Sequence, residues 1–442
     1  MIRLLFCLCF VASTMTLVKE VPPFRVYAFD LAFVPLCVVA FLTNRPRGFV
    51  NQKHPLDNLF LGFLGAATVS FLFSYDRSVS VVGWMDWIRI VVFYFVVRRL
   101  FVAEISDKLW ERLLIGLGVG LLGVGLLQLV TGTPIGLVNN YFGTNLDQSS
   151  SATVQGHGTN VRISGTTSNP IVYGLWLNLY CVFAMIYALS HRHKIWFAVL
   201  ALLVPVSLLG TLTRGAIVAY AASILALMLF TFQKSGKVVI GAIVLLIVLS
   251  PVYVMLNDTV DIRRQVQVLT ARFQLENNER WELNRIGVEL LSDHNILLFG
   301  TGSGNFSAVT RDQAGLKNRL SVRMQNTRTG IHNVWLKMIV ENGVFVLVFF
   351  VMIMIECVKM ARRLLRTPWH VWNYTWGVFW SIKILVYLVV ESNLYESAMS
   401  YQFLLPFVAI VGYLATQDSC RRIERRPAVI RSMAVAGGVG NG

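Results

Sequence analysis

Arginines concentrate in a single polar segment between two apolar stretches of the chain, together with two histidines, of which one, His332, is at the end of the segment. The segment runs from Asn257 to Asn333 and ends on His332-Asn333, just before the next apolar run. An imidazole accepts a proton near neutral pH, and guanidinium groups bind anions through planar donors that stay charged. In an otherwise apolar chain, this segment is where we expect the chemistry to occur.

His332 is the candidate general base, because a histidine at the mouth of a helix bundle can take a proton from a hydroxyl group. Asn333 suits the N-cap of the helix that follows. Arg280 lies in the same segment, within Glu279-Arg-Trp-Glu282. Taken alone, such a histidine is more often structural, and such an arginine more often pairs with a carboxylate at the surface.

Two further arginines lie outside this segment. Arg214 occupies a very short turn, Thr211-Leu-Thr-Arg-Gly215, between two apolar stretches. A guanidinium at that depth is costly unless it meets an anion or a water-filled cavity. The alternative is a side chain that reaches up to lipid phosphate. Arg162 precedes Ile-Ser-Gly in a second polar stretch, and on its own it reads as a surface charge.

Glycines and buried charges complete the candidates. Gly300, Gly302 and Gly304 lie in one turn-rich stretch, which predicts a tight turn and would also permit a backbone nest for an anion. Glu391 is predicted at the outer end of an apolar stretch, and Lys383 lies inside the same stretch.

Two charged pairs fall within apolar stretches. Asp86 and Arg89 are three residues apart, and Lys337 and Glu341 are four apart, so each pair shares one helix face. We interpret them as pairs that hold helices together; the alternative is that they line a cavity.

The composition indicates a membrane protein that must position these residues at its surface. The chain has 442 residues, of which 55% are hydrophobic and 14% charged, whereas a soluble domain carries about 25% charged residues. The sequence predicts an all-α fold, a polytopic bundle of about twelve spanning helices with a long, partly helical periplasmic loop. The predicted spans lie near residues 2–18, 26–43, 56–73, 81–101, 113–131, 170–189, 195–211, 215–232, 238–256, 334–356, 375–390 and 399–416.

The charge distribution predicts which side each loop faces. With the first residue inside, twenty-one lysines and arginines fall on the inner side and four in the short outer loops. This pattern satisfies the positive-inside rule. Both termini are therefore expected in the cytoplasm, and the two long loops, 132–168 and 257–331, in the periplasm. The net charge of +16 is assigned to cytoplasmic loops near anionic lipid and not to nucleic-acid binding.

We expect one transmembrane domain over residues 1–420 and a basic, disordered cytoplasmic tail over 421–442. Within the longer loop, Val260–Leu275 and Asn278–Leu291 have the periodicity of amphipathic helices that lie on the membrane surface. The fifth span is rich in glycine, a pattern that favours close helix packing. Residues 1–18 would read alternatively as a signal peptide, although no convincing cleavage site follows.

Several absences narrow the chemistry. The six cysteines have neither a disulfide framework nor a zinc spacing, and the chain has no Asp-x-Asp pair, phosphate loop or His-Glu-x-x-His motif. We therefore expect neither a metal nor a cofactor. An outward-facing site would not meet ATP or nucleotide sugars, so a donor activated before it crosses the membrane, such as a lipid pyrophosphate, is the natural choice.

With these residues in view, the chain resembles the O-antigen ligase and polymerase superfamily of bacterial inner-membrane glycosyltransferases. The matching pieces are Arg162-Ile-Ser-Gly-Thr-Thr-Ser-Asn-Pro, Leu-Thr-Arg214-Gly, Arg280-Trp, Phe299-Gly-Thr-Gly-Ser-Gly-Asn-Phe306, and His332-Asn-Val-Trp-Leu followed by Glu341-Asn-Gly343. They occur in the family's order and cover roughly residues 160–345.

The resemblance implies an inverting, metal-independent transfer in the periplasm of a glycan carried on undecaprenyl pyrophosphate. It implies that His332 is the general base and that Arg214 and Arg280 stabilise the leaving pyrophosphate. Arg162 would assist them in binding the donor. Asn333, Gly302, Gly304 and Glu391 complete the predicted substrate-binding set. The implied acceptor is lipid A-core or a growing glycan.

The sequence leaves the acceptor class open. Ligation to lipid A-core is the first interpretation, and a Wzy-type polymerase of O-antigen or exopolysaccharide repeats is the alternative. An Arg-x10-Gly pattern associated with polymerases is matched both by Arg319 with Gly330 and by Arg112 with Gly123, so it does not decide. A polytopic transporter or a flippase of lipid-linked sugars is the alternative from another class, but no internal repeat supports it.

Overall fold

The computed structural model describes most of the helical bundle and part of the longer polar loop. The described residues are 2–13, 18–21, 24–42, 54–101, 106–131, 163–166, 170–211, 213–231, 280–312, 330–331, 333–366, 371–391 and 404–419.

The described part of the chain is helical apart from one short hairpin. In chain order the helices are α1 (Ile2–Ser13), α2 (Ala28–Leu42), α3 (Pro55–Leu72), α4 (Arg77–Phe101), α5 (Asp107–Thr131), α6 (Pro170–Ser190), α7 (Lys194–Gly210), α8 (Arg214–Thr231), α9 (280–290), α10 (His294–Phe299), α11 (Phe306–Asp312), α12 (Val334–Leu365), α13 (Val371–Val386, continued by the π-helical turn Tyr387–Glu391) and α14 (404–419). The hairpin pairs β1 (Val18–Val21) with β2 (Phe24–Tyr27) in antiparallel register.

The predicted all-α membrane bundle is confirmed, but the predicted count of about twelve spans is not. Among the described residues, α3, α4, α5, α6 and α12 are long and apolar enough to cross a membrane, and five shorter apolar helices accompany them. The predicted span 238–256 lies outside the described residues. Of the first predicted span, the structure describes Ile2–Ser13 as helix and places Val18 in the hairpin; residues 14–17 lie outside the described residues.

Helix α6 forms the centre of the bundle. Its aromatic side chains at Tyr173, Trp176, Tyr180 and Phe183 are fully buried between the neighbouring helices. A helix that is apolar on all faces is expected in the interior of a large bundle. The helix therefore positions its neighbours α5, α7, α8 and α13 around it.

The glycine-rich helix α5 packs closely through only some of its glycines. A Cβ at Gly118 would lie 3.1 Å from the backbone of Tyr180, and a Cβ at Gly125 would overlap the Tyr173 hydroxyl. A Cβ at Gly120 would meet nothing within 4 Å. The close-packing interpretation thus applies to the face that contacts α6, and the other glycines are not needed for it.

Helix α12 breaks sharply at Gly343, whose φ of 82° and ψ of 170° are not helical. The ring centroids of Trp335 and Phe350 lie 5.6 Å apart, whereas fifteen residues of straight helix would separate them by roughly 22 Å. The two arms of the helix therefore fold toward each other. The predicted span 334–356 therefore falls within an apolar helix, as expected, but that helix is divided in two at Gly343, which the prediction did not include.

A buried ion-pair network joins the helices at the far end of the bundle, where α3 begins. Asp418 on α14 lies 3.2 Å from the His54 Nε2 atom and 3.1 Å from the Arg363 guanidinium. Arg363 also pairs with Glu356 at 2.8 Å. This network fixes α14 to the ends of α3 and α12.

The predicted pair of Asp86 and Arg89 is confirmed, with a separation of 2.7 Å. Asp30 at the start of α2 is an additional partner, 3.0 Å from the Arg89 Nε atom. The Arg89 guanidinium also lies over the ring of Tyr27, 5.2 Å from its centroid. The cluster joins α2 to α4, as expected of a structural pair within a bundle.

Candidate active site

The stretch Gly300–Asn305, here called the glycine loop, wraps around the break in α12. The backbone N–H of Thr301 donates to the Val340 carbonyl, and that of Gly302 donates to the Glu341 carbonyl, each at 2.8 Å. The N–H of Gly304 donates to the Glu341 carboxylate at 3.1 Å. The first two bonds satisfy carbonyl groups that the helix break would otherwise leave without partners.

The glycine loop and the broken helix touch backbone to backbone. Gly300 has a φ of 78°, and a Cβ there would lie 2.5 Å from the Asn342 nitrogen. A Cβ at Gly343 would lie 2.3 Å from the Leu298 carbonyl oxygen. Only glycine fits such a close approach with a positive φ. The predicted tight turn is therefore confirmed, and its reason is contact with α12.

Buried polar side chains hold the rest of the loop. The Ser303 hydroxyl donates to the Asn342 side-chain oxygen at 2.6 Å. The indole N–H of Trp87 on α4 points at the same oxygen, at 3.4 Å, and equally at the Ser303 hydroxyl. A buried polar network of this kind specifies a single geometry when its members are paired.

Asn305 connects the loop to the link between α3 and α4. Its fully buried side-chain amide lies 2.9 Å from three acceptors: the carbonyls of Asp76 and Thr301 and the hydroxyl of Ser80. In the same link, the Tyr75 hydroxyl donates to Asp312 at 2.7 Å, and this bond raises the pKa of Tyr75. The sequence analysis included Asn305 in a matching motif but assigned it no role, because its three acceptors are brought together only by the fold.

Helix α9 carries Arg280. It packs against the part of α12 before the break and against α11, the helix that follows the glycine loop. Its residues Leu283, Ile286 and Leu290 are buried in a cluster with Ile331 and with residues of α11 and α12. The predicted helix at 278–291 is thus confirmed in its described part. Its apolar face is buried against protein, however, and not against the membrane surface. The predicted helix at 260–275 lies outside the described residues.

This packing sets Arg280 on the face of α9 that is directed toward the start of α12. A Cβ at Gly287 would lie 2.9 Å from the Ile331 side chain. Arg280 lies seven residues before Gly287, two turns along the same face, and it is partly buried.

Asn333 caps α12 as predicted, since its side-chain oxygen accepts from the Leu336 N–H at 3.0 Å. His332 lies outside the described residues.

The turn that precedes Arg214 is held against the segment that follows Arg162. The Ile163 N–H donates to the Gly210 carbonyl at 3.0 Å, and the Ile163 side chain is buried. Arg162 itself and the side chain of Arg214 lie outside the description. The structure places the backbone of Arg214 at the first residue of α8.

Gln128 on α5 fixes this second region, and sequence reasoning missed it. Its buried side-chain oxygen accepts from the Gly165 N–H at 2.8 Å, and its amide donates to the Gly165 carbonyl at 2.8 Å. The signal was present in the sequence, because a glutamine inside an apolar helix is costly unless it binds a partner.

The π-helical turn at the end of α13 lies between α12 and α8, the helices that begin at Val334 and Arg214. Its residue Tyr387 lies 6.5 Å, between ring centroids, from Phe350, which in turn contacts Trp335 near the start of α12. The turn also packs against α8, the helix that Arg214 begins. Glu391 closes this turn, fully buried and 2.5 Å from the Lys383 ammonium. Single π-helical turns often mark functional sites.

The arrangement suits the binding of an anion. Helices α8 and α12 begin beside predicted site residues, and a helix N-terminus carries a partial positive charge that favours anionic groups. Arg280, on the helix α9 that packs against α12, adds a full positive charge. The structure therefore describes a multi-pass helical membrane protein in which two helix N-termini and one described arginine, Arg280, lie among the predicted site residues.

Comparison with known families agrees with this class. The model of the O-antigen ligase family matches residues 196–351, which run from α7 into α12. The matched stretch includes Arg214, Arg280, the glycine loop and His332-Asn333, whereas Arg162 and Glu391 lie outside it. The resemblance noted in the sequence is confirmed, and the family implies a membrane enzyme of the glycosyltransferase kind that acts on lipid-linked glycans. No curated protein matches the chain.

Proposed function

We propose that this protein is an O-antigen ligase-like enzyme that transfers a glycan from undecaprenyl pyrophosphate to lipid A-core. The observation that carries the proposal is the family match over 196–351, which contains the arginines and the histidine singled out in the sequence. The packing of α9 supports it, because the helix that carries Arg280 contacts Ile331, the residue before His332 in the sequence.

In the proposed reaction, His332 takes the proton from an acceptor-sugar hydroxyl. The hydroxyl oxygen then forms a bond to the anomeric carbon of the donor glycan. The bond between that carbon and the pyrophosphate oxygen breaks, and the electron pair leaves with the pyrophosphate. Attack opposite the leaving group inverts the anomeric centre. One proton moves to His332, and no oxidation or reduction occurs.

Arg214 and Arg280 are proposed to bind the pyrophosphate and to stabilise the negative charge that develops on it as it leaves. Fixed cations contribute most where charge develops in a partly dry site. Arginine is suited to this role because its planar donors bind two phosphate oxygens at once. Arg162 would add a third cation from the segment that Ile163 and Gln128 hold near Arg214.

The other predicted residues have supporting roles in the proposal. Asn333 holds the start of α12 by its cap, so it would set the position of the neighbouring imidazole. The N–H groups of Gly302 and Gly304 donate to Glu341 in the structure. Their assignment to substrate binding stays a prediction. Glu391, in the π-helical turn and paired with Lys383, is proposed to take part in substrate binding.

We place the reaction on the periplasmic face of the bacterial inner membrane, with both chain termini in the cytoplasm. The support is the count of basic residues, which favours this orientation. A donor that arrives already activated on a lipid is consistent with a compartment that lacks nucleotide sugars.

Polymerisation of repeat units is the second candidate, because it uses the same donor and differs only in the acceptor. A transporter receives less support. Charges within the spans, such as Asp86, Arg89 and Lys383, would suit a transporter, but all three have ion-pair partners within the described bundle.

One assay separates these functions. Purified protein would be incubated with undecaprenyl-pyrophosphate glycan, once together with lipid A-core and once alone. We expect a glycan joined to lipid A-core in the first reaction only. Growth of the glycan in the second reaction would identify a polymerase, and no product in either reaction would refute the proposed transfer.

A further inference from the structure

An apolar groove lies on the membrane-facing side of the bundle, below the glycine loop. Its volume is about 340 Å³. Small residues of α3 form its floor, and aromatic residues of α12 form one wall. The lining residues used below are Gly62, Gly65, Val69, Phe299, Phe345 and Phe349.

The groove runs along α3 and ends beside a pair of stacked aromatic rings. Gly65 and Val69 lie four residues apart on one face of α3, so the floor follows the helix axis. At the top, the rings of Phe73 and Phe299 stack with centroids 4.4 Å apart. Of the wall residues, Phe345 is half exposed. The groove thus opens sideways, along helices that are long enough to cross the membrane.

A cation lies at the upper end. Arg77, the first residue of α4, is exposed, and its guanidinium donates to the Leu72 carbonyl at 3.0 Å. This carbonyl is at the end of α3, one turn beyond Val69 on the same face. An exposed guanidinium above an apolar groove complements a molecule that joins a phosphate to a hydrocarbon chain.

We infer that the groove binds one acyl chain of a bilayer phospholipid, with the lipid phosphate at Arg77. Bilayer hydrocarbon is the medium around α3 and α12, so a lateral apolar groove at this depth is filled by a lipid chain. The lipid would pack against Phe299 and Asn342, the residues on either side of the contact between α10 and the break in α12. It would therefore stabilise the glycine loop's attachment to α12. The inference is independent of the proposed reaction.

The test uses the full chain. It would be purified in mild detergent from membranes, or released into mild detergent after reconstitution in nanodiscs of phosphatidylethanolamine and phosphatidylglycerol. Native mass spectrometry would count and weigh the lipids retained. The variant Gly65→Leu would fill the groove, because a Cβ at Gly65 meets nothing within 4 Å and the backbone needs no shift. The matched control is Gly120→Leu, which is equally open but lies on α5, away from the groove.

We expect the unaltered protein and Gly120→Leu to retain a phospholipid that Gly65→Leu loses. Arg77→Gln should release it at a lower detergent concentration, whereas Arg285→Gln, which changes an exposed arginine on α9, should not. Equal retention by Gly65→Leu and Gly120→Leu would overturn the site. A retained mass that matches a polyprenyl phosphate, and not a phospholipid, would overturn the assigned occupant. Thermal unfolding of each variant would show that lipid loss is not caused by misfolding.

Discussion

Two arginines on the same helix offer a matched test of the proposed chemistry. Arg280 is partly buried and directed toward the start of α12, whereas Arg285 is exposed and lies 3.6 Å from Glu289. Exposed pairs of this kind contribute little to stability. The two residues therefore separate a role in catalysis from a general effect of positive charge on α9.

We predict that Arg280→Ala lowers the rate of glycan transfer about 10²- to 10³-fold, the scale for loss of a group that stabilises developing charge. Arg285→Ala should keep nearly the full rate. Product formation from the lipid-linked donor, measured with purified variants, checks both. If the two variants lose activity equally, the assignment of Arg280 is wrong.

The proposed roles of His332 and Arg214 predict large losses of activity. We expect His332→Ala to lower the rate about 10²- to 10⁴-fold, as for other general bases. Arg214→Ala should be similarly inactive while the protein still inserts into membranes. Membrane fractionation and thermal unfolding serve as controls for insertion and folding. Near-normal product from either variant would refute its proposed role.

Backbone conformation at Gly343 yields a prediction about stability. Gly343→Ala should cost about 1–3 kcal/mol for the strained φ alone. The clash with the Leu298 carbonyl adds to this cost. Gly120→Ala, in an open position of α5, should be neutral or slightly stabilising. Thermal unfolding in detergent compares the two; similar melting temperatures would mean that the break in α12 is not needed.

At the scale of elements, the glycine loop joins three parts of the structure that are distant in sequence. It binds the break in α12, the link between α3 and α4, and the middle of α4 through Trp87. A loop with this many buried hydrogen bonds is a fixed structural part. The proposed active site thus rests on a rigid support on the side of Arg280.

Asn305 tests this support. Asn305→Ala should cost about 1–3 kcal/mol, because it leaves buried acceptors without a donor. Amide hydrogen exchange should rise both in the loop and in the link of residues 73–76, which the side chain connects. Asn295→Ala, an exposed position on α10, should leave exchange in both regions unchanged. Faster exchange confined to the loop would show that the link is held by other contacts.

At the scale of the molecule, the two ends of the bundle differ in the way they are held. Polar loops and helix ends form the end that bears the proposed site. The other end is closed by the buried network of Asp418, His54, Arg363 and Glu356. Such a network holds α14 against helices that are far from it in sequence.

We predict that Asp418→Asn destabilises the protein by about 1–3 kcal/mol, since a buried charged partner of Arg363 is lost. Glu289→Gln removes an exposed charged partner and should change stability by less than about 0.5 kcal/mol. Thermal melting in detergent measures both. An equal effect would indicate that the buried network contributes no more than a surface pair.

The orientation of the molecule is open to direct measurement. In a background without the native cysteines, Asn295→Cys on α10 should react with a membrane-impermeant maleimide in intact spheroplasts. Arg192→Cys, in the turn between α6 and α7, should react only after the membrane is opened. Both positions are exposed, so accessibility depends on the side of the membrane. The reverse pattern would place the proposed site in the cytoplasm and remove its lipid-linked donor.

The sequence by itself determined the helical membrane class, most helix positions and the segments that match the family. Apolar length and periodicity are local properties, and they decide whether a segment forms a spanning helix. Asn333 as a helix cap and Asp86 with Arg89 as a pair were predictable for the same reason, because their partners lie within one helical turn.

Tertiary structure alone decided the contacts between segments far apart in the chain. The break of α12 at Gly343, the anchoring by Asn305 and Gln128, and the third partner Asp30 each depend on an element distant in sequence. The apolar face of α9 is periodic whether it meets lipid or protein, so its periodicity did not reveal the protein cluster that covers it. Local pattern fixes which faces are apolar; only the packed fold determines what those faces bury.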